Sequence, residues 1–228
     1  MSDAAVARSA MRVSDEVRAV LMAHGRTVRA RKGQIVLSIG LPANDVFLVV
    51  EGRASVTLVS ALGRETVLRS IGPDEIFGEL AAIDGGARSA DVVASQDCIL
   101  AVIPGARFVE LLESDARVGL WLARYLCRQV RYLTGKVYEL ANMSVGARLL
   151  AELLRIAENH PETDGMVTIV RPPTQAELAA RIGTNRETVT RELSLLLQQG
   201  LIGREGRQIL IPSLARLAGE LRHLSPGN

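Results

Sequence analysis

The chain has 228 residues, 48% of them hydrophobic and 23% charged, with a formal net charge of +2. That balance excludes a disordered polymer and leaves one large globular domain or two ordinary ones. A net charge so near zero neither demands nor excludes nucleic acid, so the placement of individual arginines decides that question.

In chain order, the first element is a loose helix over residues 1–30, with Val17, Val20 and Leu21 on one side. The opening dozen residues are expected to be loosely ordered. They lack a long apolar stretch before a cleavage site, and every apolar run is short, so neither a secretory signal nor a membrane span is expected. Cys98 and Cys127 sit far apart in apolar patterns and read as two buried thiols of a cytoplasmic protein.

Short β-branched runs follow: GQIVLSIG, DVFLVVEG, ASVTLVS, ETVLRSIG and CILAVIPG. Gly, Pro, Asn or Asp bounds each of them, at the spacing of a β-sandwich or barrel. SALGRE reads as a hairpin turn in which Gly63 takes positive φ.

Residues 77–94, FGELAAIDGGARSADVVA, place Glu79, Gly85-Gly86 and Arg88-Ser89 inside an otherwise apolar passage. Three readings fit. The first is a plain turn between strands, with its charges solvated or paired. The second is a cupin-like metalloenzyme, which needs a His/carboxylate cluster. His24, His160 and His223 are scattered outside the strand region, so no metal-ligating or catalytic residue is assigned. The third is an anion pocket. Backbone N–H groups after Gly78 can cradle a phosphate, Arg88 can neutralise its charge, Ser89 adds a hydroxyl, and Glu79 can accept from a sugar hydroxyl. A 3′,5′-cyclic nucleotide has that inventory.

Residues 114–143 contain no proline, and their apolar residues fall on a heptad ladder. Ala123, Val130 and Val137 form one series; Leu126, Leu133 and Leu140 form the other. β-Branched residues at a with Leu at d favour a parallel two-stranded coiled coil, so a dimer helix is expected over an ordinary amphipathic helix. Arg124, Arg128, Arg131, Lys136 and Glu139 read as its solvated face. SVGARLLAELLRIAEN is a further amphipathic helix, HPETDGM a loop and VTIV a short strand.

TQAELAARIGTNRETVTRELSLLLQQGLI carries a capping box at Thr174 and Glu177, a glycine turn at Gly183, and a second helix capped by Thr184 or Asn185. The pattern is a helix-turn-helix. Arg186, Glu187, Thr190 and Arg191 lie on the first turns of the second helix, the end that meets base edges in the major groove. LIGREGRQILIP then reads as a β-wing bearing Arg204 and Arg207. Cationic wing and helix tip together point to duplex DNA.

With these parts in this order, the chain resembles the CRP/FNR family of bacterial transcription regulators, and within it the cyclic-AMP receptor branch. FGEL…RSA is similar to that branch's phosphate-binding cassette, and RETVTREL to its recognition helix. The resemblance implies an α+β chain: a jelly-roll-like β-roll that binds a cyclic nucleotide (residues 1–115), a dimerisation helix (116–143) and a winged helix-turn-helix (144–228). By resemblance, Glu79 takes the ribose 2′-hydroxyl, Arg88 and Ser89 the cyclic phosphate, and Gly78 and Leu80 contribute backbone. Two adjacent hydroxyl residues of the dimer helix contact the base in that branch. Here the pair is Leu133 and Thr134, so cyclic AMP is the expected effector, with cyclic GMP, another metabolite or activity without ligand as the alternatives. Arg186, Glu187 and Arg191 carry over as base readers, with Thr174, Asn185, Thr190, Arg204 and Arg207 around them. A homodimer on a palindromic operator with TGTGA-like half-sites, acting with RNA polymerase and without catalysis, is what the family implies.

Overall fold

The computed structural model describes residues 12–60, 65–158, 160–163 and 165–224. The opening residues 1–11 and the turn expected at Gly63 lie outside the described residues. The chain divides between Val130 and Arg131 into two compact units.

The first unit opens with helix α1, Asp15–His24. Ser14 caps it, accepting from the Val17 amide, and Val17 and Leu21 are its buried face. The helix stops there. Residues expected to continue it instead form strand β1, Arg26–Ala30, because RTVRA finds a complete antiparallel partner in β8, Cys98–Ile103.

Two four-stranded antiparallel sheets follow. One runs β1, β8, β3 (Val46–Glu51) and β6 (Ile76–Phe77). The other runs β2 (Ile35–Leu37), β7 (Asp91–Ala94), β4 (Ala54–Val59) and β5 (Glu65–Ile71). Their inward residues share one core that includes Phe47, Ile71, Phe77, Val92, Leu100 and Val102. Phe47 and Phe77 stack across the β3–β6 pair, ring centres 5.0 Å apart. This is the β-roll. The segment between β6 and β7 is the passage singled out in the sequence, and it joins one sheet to the other.

Helix α2 (Glu79–Asp84) lies in that segment; α3 (Gly105–Ser114) and the long α4 (Ala116–Asn142) follow the roll. On α4, Val118, Leu122 and Tyr125 are buried. The heptad positions are not: Val130 is 63% and Val137 66% exposed, Leu133 and Leu140 are exposed as well, and Leu126 is half-buried. Cys98 is buried as expected, but Cys127 is exposed, because it falls on the outer side of α4.

The second unit holds α5 (Val145–Ala157), β9 (Glu162–Thr163), β10 (Met166–Ile169), α6 (Gln175–Ile182), α7 (Arg186–Gln198), β11 (Gly203–Glu205), β12 (Gln208–Ile211) and α8 (Leu214–Leu224). The strands form a sheet in the order β11-β12-β10-β9, so HPETDGM is not all loop. Leu150, Leu153, Ile169, Leu178, Val189 and Ile211 lie in its core.

Lys136 and Glu139 depart from the solvated face expected of them. Glu152 on α5 is only 3% exposed, and three cations surround it: Lys136 Nζ at 3.3 Å, Arg155 Nε at 3.0 Å and Arg181 Nη1 at 3.3 Å. Arg155 also donates to Glu139 at 3.1 Å. A buried carboxylate is costly unless paired, and this pairing draws Lys136 and Glu139 inward.

Candidate functional sites

Strand β6 leads through Gly78 into α2. Gly78 has φ +85°, and a Cβ there would meet the Asp45 carbonyl oxygen at 2.8 Å, so only glycine fits. Gly85, with φ +70°, ends α2, and the Asp84 carboxylate accepts from the Gly86 amide at 2.8 Å. The chain then returns toward β7, tied to the preceding loop by hydrogen bonds between Gly40 and Arg88 and between Arg88 and Leu41.

This path buries both charged residues of the passage: Glu79 is 5% exposed and Arg88 4%. Arg88 donates through Nη1 to the Gly78 carbonyl and through Nη2 to the Asp45 carbonyl, each at 2.7 Å. Its Nε is buried and has no hydrogen-bond partner. Two carbonyls thus aim the guanidinium without neutralising it. Burial pulls its pKa down, opposed by Asp45 and Glu79. Burial likewise pushes the Glu79 carboxyl up, opposed by its own amide and by Arg69 and Arg88.

A cation with unspent N–H donors and a carboxyl acceptor therefore share one cassette. The cation can receive a single negative charge; the carboxylate can accept from a hydroxyl. That is the donor set a cyclic phosphate and a ribose hydroxyl require, so the residues present fit the ligand class expected of them. Leu80 and Ser89 are exposed on the same segment. Leu133 and Thr134 are exposed on α4, within the second unit.

Sequence reasoning missed three participants. Asp45 acts through a backbone carbonyl, which no side chain announces. Arg69 on β5 and Tyr125 on α4 form a buried pair behind the cassette, with Arg69 Nη2 donating to the Tyr125 hydroxyl at 3.0 Å. Both lie in apolar patterns where each reads alone as core or surface.

In the second unit, Thr174 and Glu177 make the full capping box of α6, and Gly183 closes that helix at φ +66°. Asn185 caps α7, accepting from the Thr188 amide at 2.8 Å. Val189 and Leu193 point into the core, which leaves Arg186, Glu187, Thr190 and Arg191 exposed on the opposite face. The Thr190 hydroxyl lies 2.8 Å from Gln175 Oε1 and so links the first turns of the two helices. Arg204 and Arg207 are exposed on the hairpin of β11 and β12, which turns at Gly206. The two helices and the hairpin make a winged helix-turn-helix with arginines on helix tip and wing.

Among the described residues no three His, Cys, Asp or Glu side chains gather where they could hold a metal ion, and no helix is long and apolar enough to cross a membrane.

Known proteins match this arrangement at both ends. Residues 27–115 match the cyclic nucleotide-binding domain and residues 147–220 the Crp-like helix-turn-helix domain. The chain is 30% identical to the cAMP-activated global transcriptional regulator CRP of Salmonella typhimurium, over 75% of this chain and 82% of that one. It is 26% identical to the CRP-like cAMP-activated global transcriptional regulator of Mycobacterium tuberculosis, over 84% and 86%. A CRP/FNR-family regulator of Thermus thermophilus superposes with a TM-score of 0.70 at 28% identity, covering 89% of this chain and all of that one. A CooA mutant from Carboxydothermus hydrogenoformans gives 0.78 at 21% identity, over 92% and 98%, a likeness of fold. The Salmonella, Mycobacterium and Thermus relatives are transcription regulators and not enzymes, and the chain belongs to the CRP/FNR family, carrying its cyclic nucleotide-binding and Crp-like helix-turn-helix domains.

Proposed function

We propose that the protein is a homodimeric regulator whose binding to a palindromic DNA operator responds to cyclic AMP. The observation that carries this reading is the buried Arg88, held by two carbonyls with its Nε unpartnered, in the same cassette as the buried Glu79. Arg88 with Ser89 would take the cyclic phosphate and Glu79 the ribose hydroxyl, with Gly78 and Leu80 supplying backbone. Relatives described as cAMP-activated support the choice of nucleotide.

The dimer is supported by the uncovered apolar ladder on α4, since Val130, Leu133, Val137 and Leu140 are all exposed in a single chain. A second copy of α4 laid along them would bury that seam. The base would then be read by Thr134, with Leu133 beside it in place of a second hydroxyl. The ligand acts by population shift, favouring the arrangement in which two recognition helices stand about one helical turn, roughly 34 Å, apart. Arg186, Glu187 and Arg191 would read base edges, with Thr174, Asn185, Thr190, Arg204 and Arg207 close to the DNA backbone. The work is done in the cytoplasm with RNA polymerase as a further partner.

A second reading, cyclic GMP, rests on Leu133, which removes one hydroxyl from the base site, and on Ser89, whose exposed hydroxyl could accept from a guanine amino group. One experiment separates them: calorimetric titration with cyclic AMP and with cyclic GMP, repeated in the presence of DNA. Tight binding of cyclic AMP that also raises DNA affinity is expected. Heat with cyclic GMP alone selects the second reading, and heat with neither overturns both.

A further inference from the structure

The Tyr125 hydroxyl is fully enclosed and fully used. It donates to the Ile76 carbonyl at 3.1 Å and accepts from Arg69 Nη2 at 3.0 Å and from Gln129 Nε2 at 2.8 Å. One proton donated and two lone pairs occupied exhaust what a phenol can do. Arg69 Nη2 also donates to the same Ile76 carbonyl at 3.1 Å, and Nη1 lies 3.7 Å from the Glu75 carboxylate. The guanidinium further sits over the Tyr125 ring, 5.6 Å from its centre.

The placement of these groups gives the contact its meaning. Ile76 opens β6, three residues before Glu79, on the strand that delivers the cassette. Tyr125 lies on α4, and Gln129 is one turn further along the same helix, which continues to Asn142. A strand entering the ligand cassette and a helix leaving the β-roll therefore share one carbonyl, one hydroxyl and one guanidinium. Buried polar networks of this kind have few satisfied arrangements, because each unpaired member is costly.

The geometry points to Tyr125 as the positioning residue through which the cassette sets the long helix α4. The inference rests on the nucleotide-responsive reading above and names the joint that reading requires. When ligand draws on Glu79 and Arg88, β6 shifts at its Ile76 end. The Ile76 carbonyl must then keep or release Arg69 and Tyr125 together, and Gln129 passes the change one turn along α4. Packing of a tyrosine into the core explains its ring; it does not explain why its three hydrogen-bonding capacities are all spent on β6 (Ile76), β5 (Arg69) and the next turn of its own helix (Gln129).

Tyr125→Phe tests this, since it keeps the ring and its stacking on Trp121 and deletes one oxygen. Full-length wild type and variant are titrated with cyclic AMP, alone and with the duplex that wild type selects from a random library. In the variant, the factor by which cyclic AMP raises DNA affinity is expected to shrink about tenfold, and the reciprocal effect of DNA on cyclic AMP shrinks equally. Hydrogen exchange of α4 amides beyond Gln129, slowed by cyclic AMP in wild type, should no longer respond to it. A merely structural loss would speed exchange with and without nucleotide alike and leave the enhancement at its wild-type factor, which overturns the inference. If Tyr125→Phe does not fold, Gln129→Met serves: a reduced enhancement supports the joint, and a full wild-type enhancement overturns it. Absence of any response to cyclic AMP in wild type overturns the underlying reading and this inference together.

Discussion

Arg88 Nη1 donates to the Gly78 carbonyl at 2.7 Å, and a methyl group on Gly78 would meet that same nitrogen at 2.8 Å. The glycine that turns the chain into α2 is thus also what lets the arginine close over it. Gly78→Ala meets three obstacles: φ +85°, the Asp45 carbonyl oxygen at 2.8 Å, and Arg88 itself. A loss of roughly 1–3 kcal/mol in urea unfolding is expected, with cyclic AMP affinity falling in calorimetry as Arg88 is displaced. Gly85→Ala is the control. It has φ +70° but no neighbour within 4 Å, so it should cost about 1 kcal/mol and spare the ligand. Wild-type affinity in Gly78→Ala would show that ligand binding does not depend on this closure.

Glu79 predicts a pH profile. Burial raises its carboxyl pKa above the ordinary 4.5, opposed by its own amide, Arg69 and Arg88. The folded chain therefore holds this proton to higher pH than the unfolded chain. Its contribution to stability is full below 4.5 and is lost as pH rises through the raised value. Ligand binding runs the other way, because a ribose hydroxyl makes a stronger, charge-assisted hydrogen bond to the carboxylate than to the neutral acid. Cyclic AMP affinity should fall as pH drops from neutral toward 4.5, at most about tenfold per unit. Calorimetry with 2′-deoxy cyclic AMP should lack this component, as should Glu79→Gln with cyclic AMP. Parallel profiles for the two nucleotides would remove Glu79 from the sugar site.

Glu152→Ala strips the shared acceptor from Lys136, Arg155 and Arg181. Removing one member of a buried ion cluster leaves the others uncompensated and costs about 3–5 kcal/mol where burial is complete. The cations here retain 13–20% exposure, which places the expectation near the lower end, about 3 kcal/mol, in urea unfolding of the full chain. A loss under about 1 kcal/mol would mean solvent already screens the cluster.

The parts of the molecule that local rules govern were legible in sequence. Thr174 with Glu177, Gly183 and Asn185 announce a helix-turn-helix because caps and glycine turns act over three or four residues. The cassette was legible because Glu79 and Arg88 break an apolar run. What escaped was long-range pairing. Lys136 and Glu139 fit a solvated heptad face until Glu152 and Arg155, on another helix, are brought beside them. Strand β1 offers only Thr27 and Val28 as β-branched residues; its partner β8, about seventy residues on, makes it a strand. Asp45 holds Arg88 through a carbonyl that any residue could supply.

A salt series tests whether the wing supplies affinity and the tip of α7 sequence choice. Arg204 and Arg207 are exposed on the wing, and Arg186 and Arg191 at the tip of α7. Wing arginines that meet phosphates release counterions on binding. Arg204→Ala or Arg207→Ala should then flatten the slope of log affinity against log salt by about 0.9 for each phosphate no longer neutralised, once per protomer. The ranking of DNA sequences should not change. Arg186→Ala, by contrast, should narrow discrimination at one base pair of each half-site by about 1–3 kcal/mol. Filter binding of wild type and variants across a salt series, on the selected duplex and on single-base substitutions of it, measures both effects. A wing variant that alters sequence ranking, or a helix variant that alters only the salt slope, would reverse the two assignments.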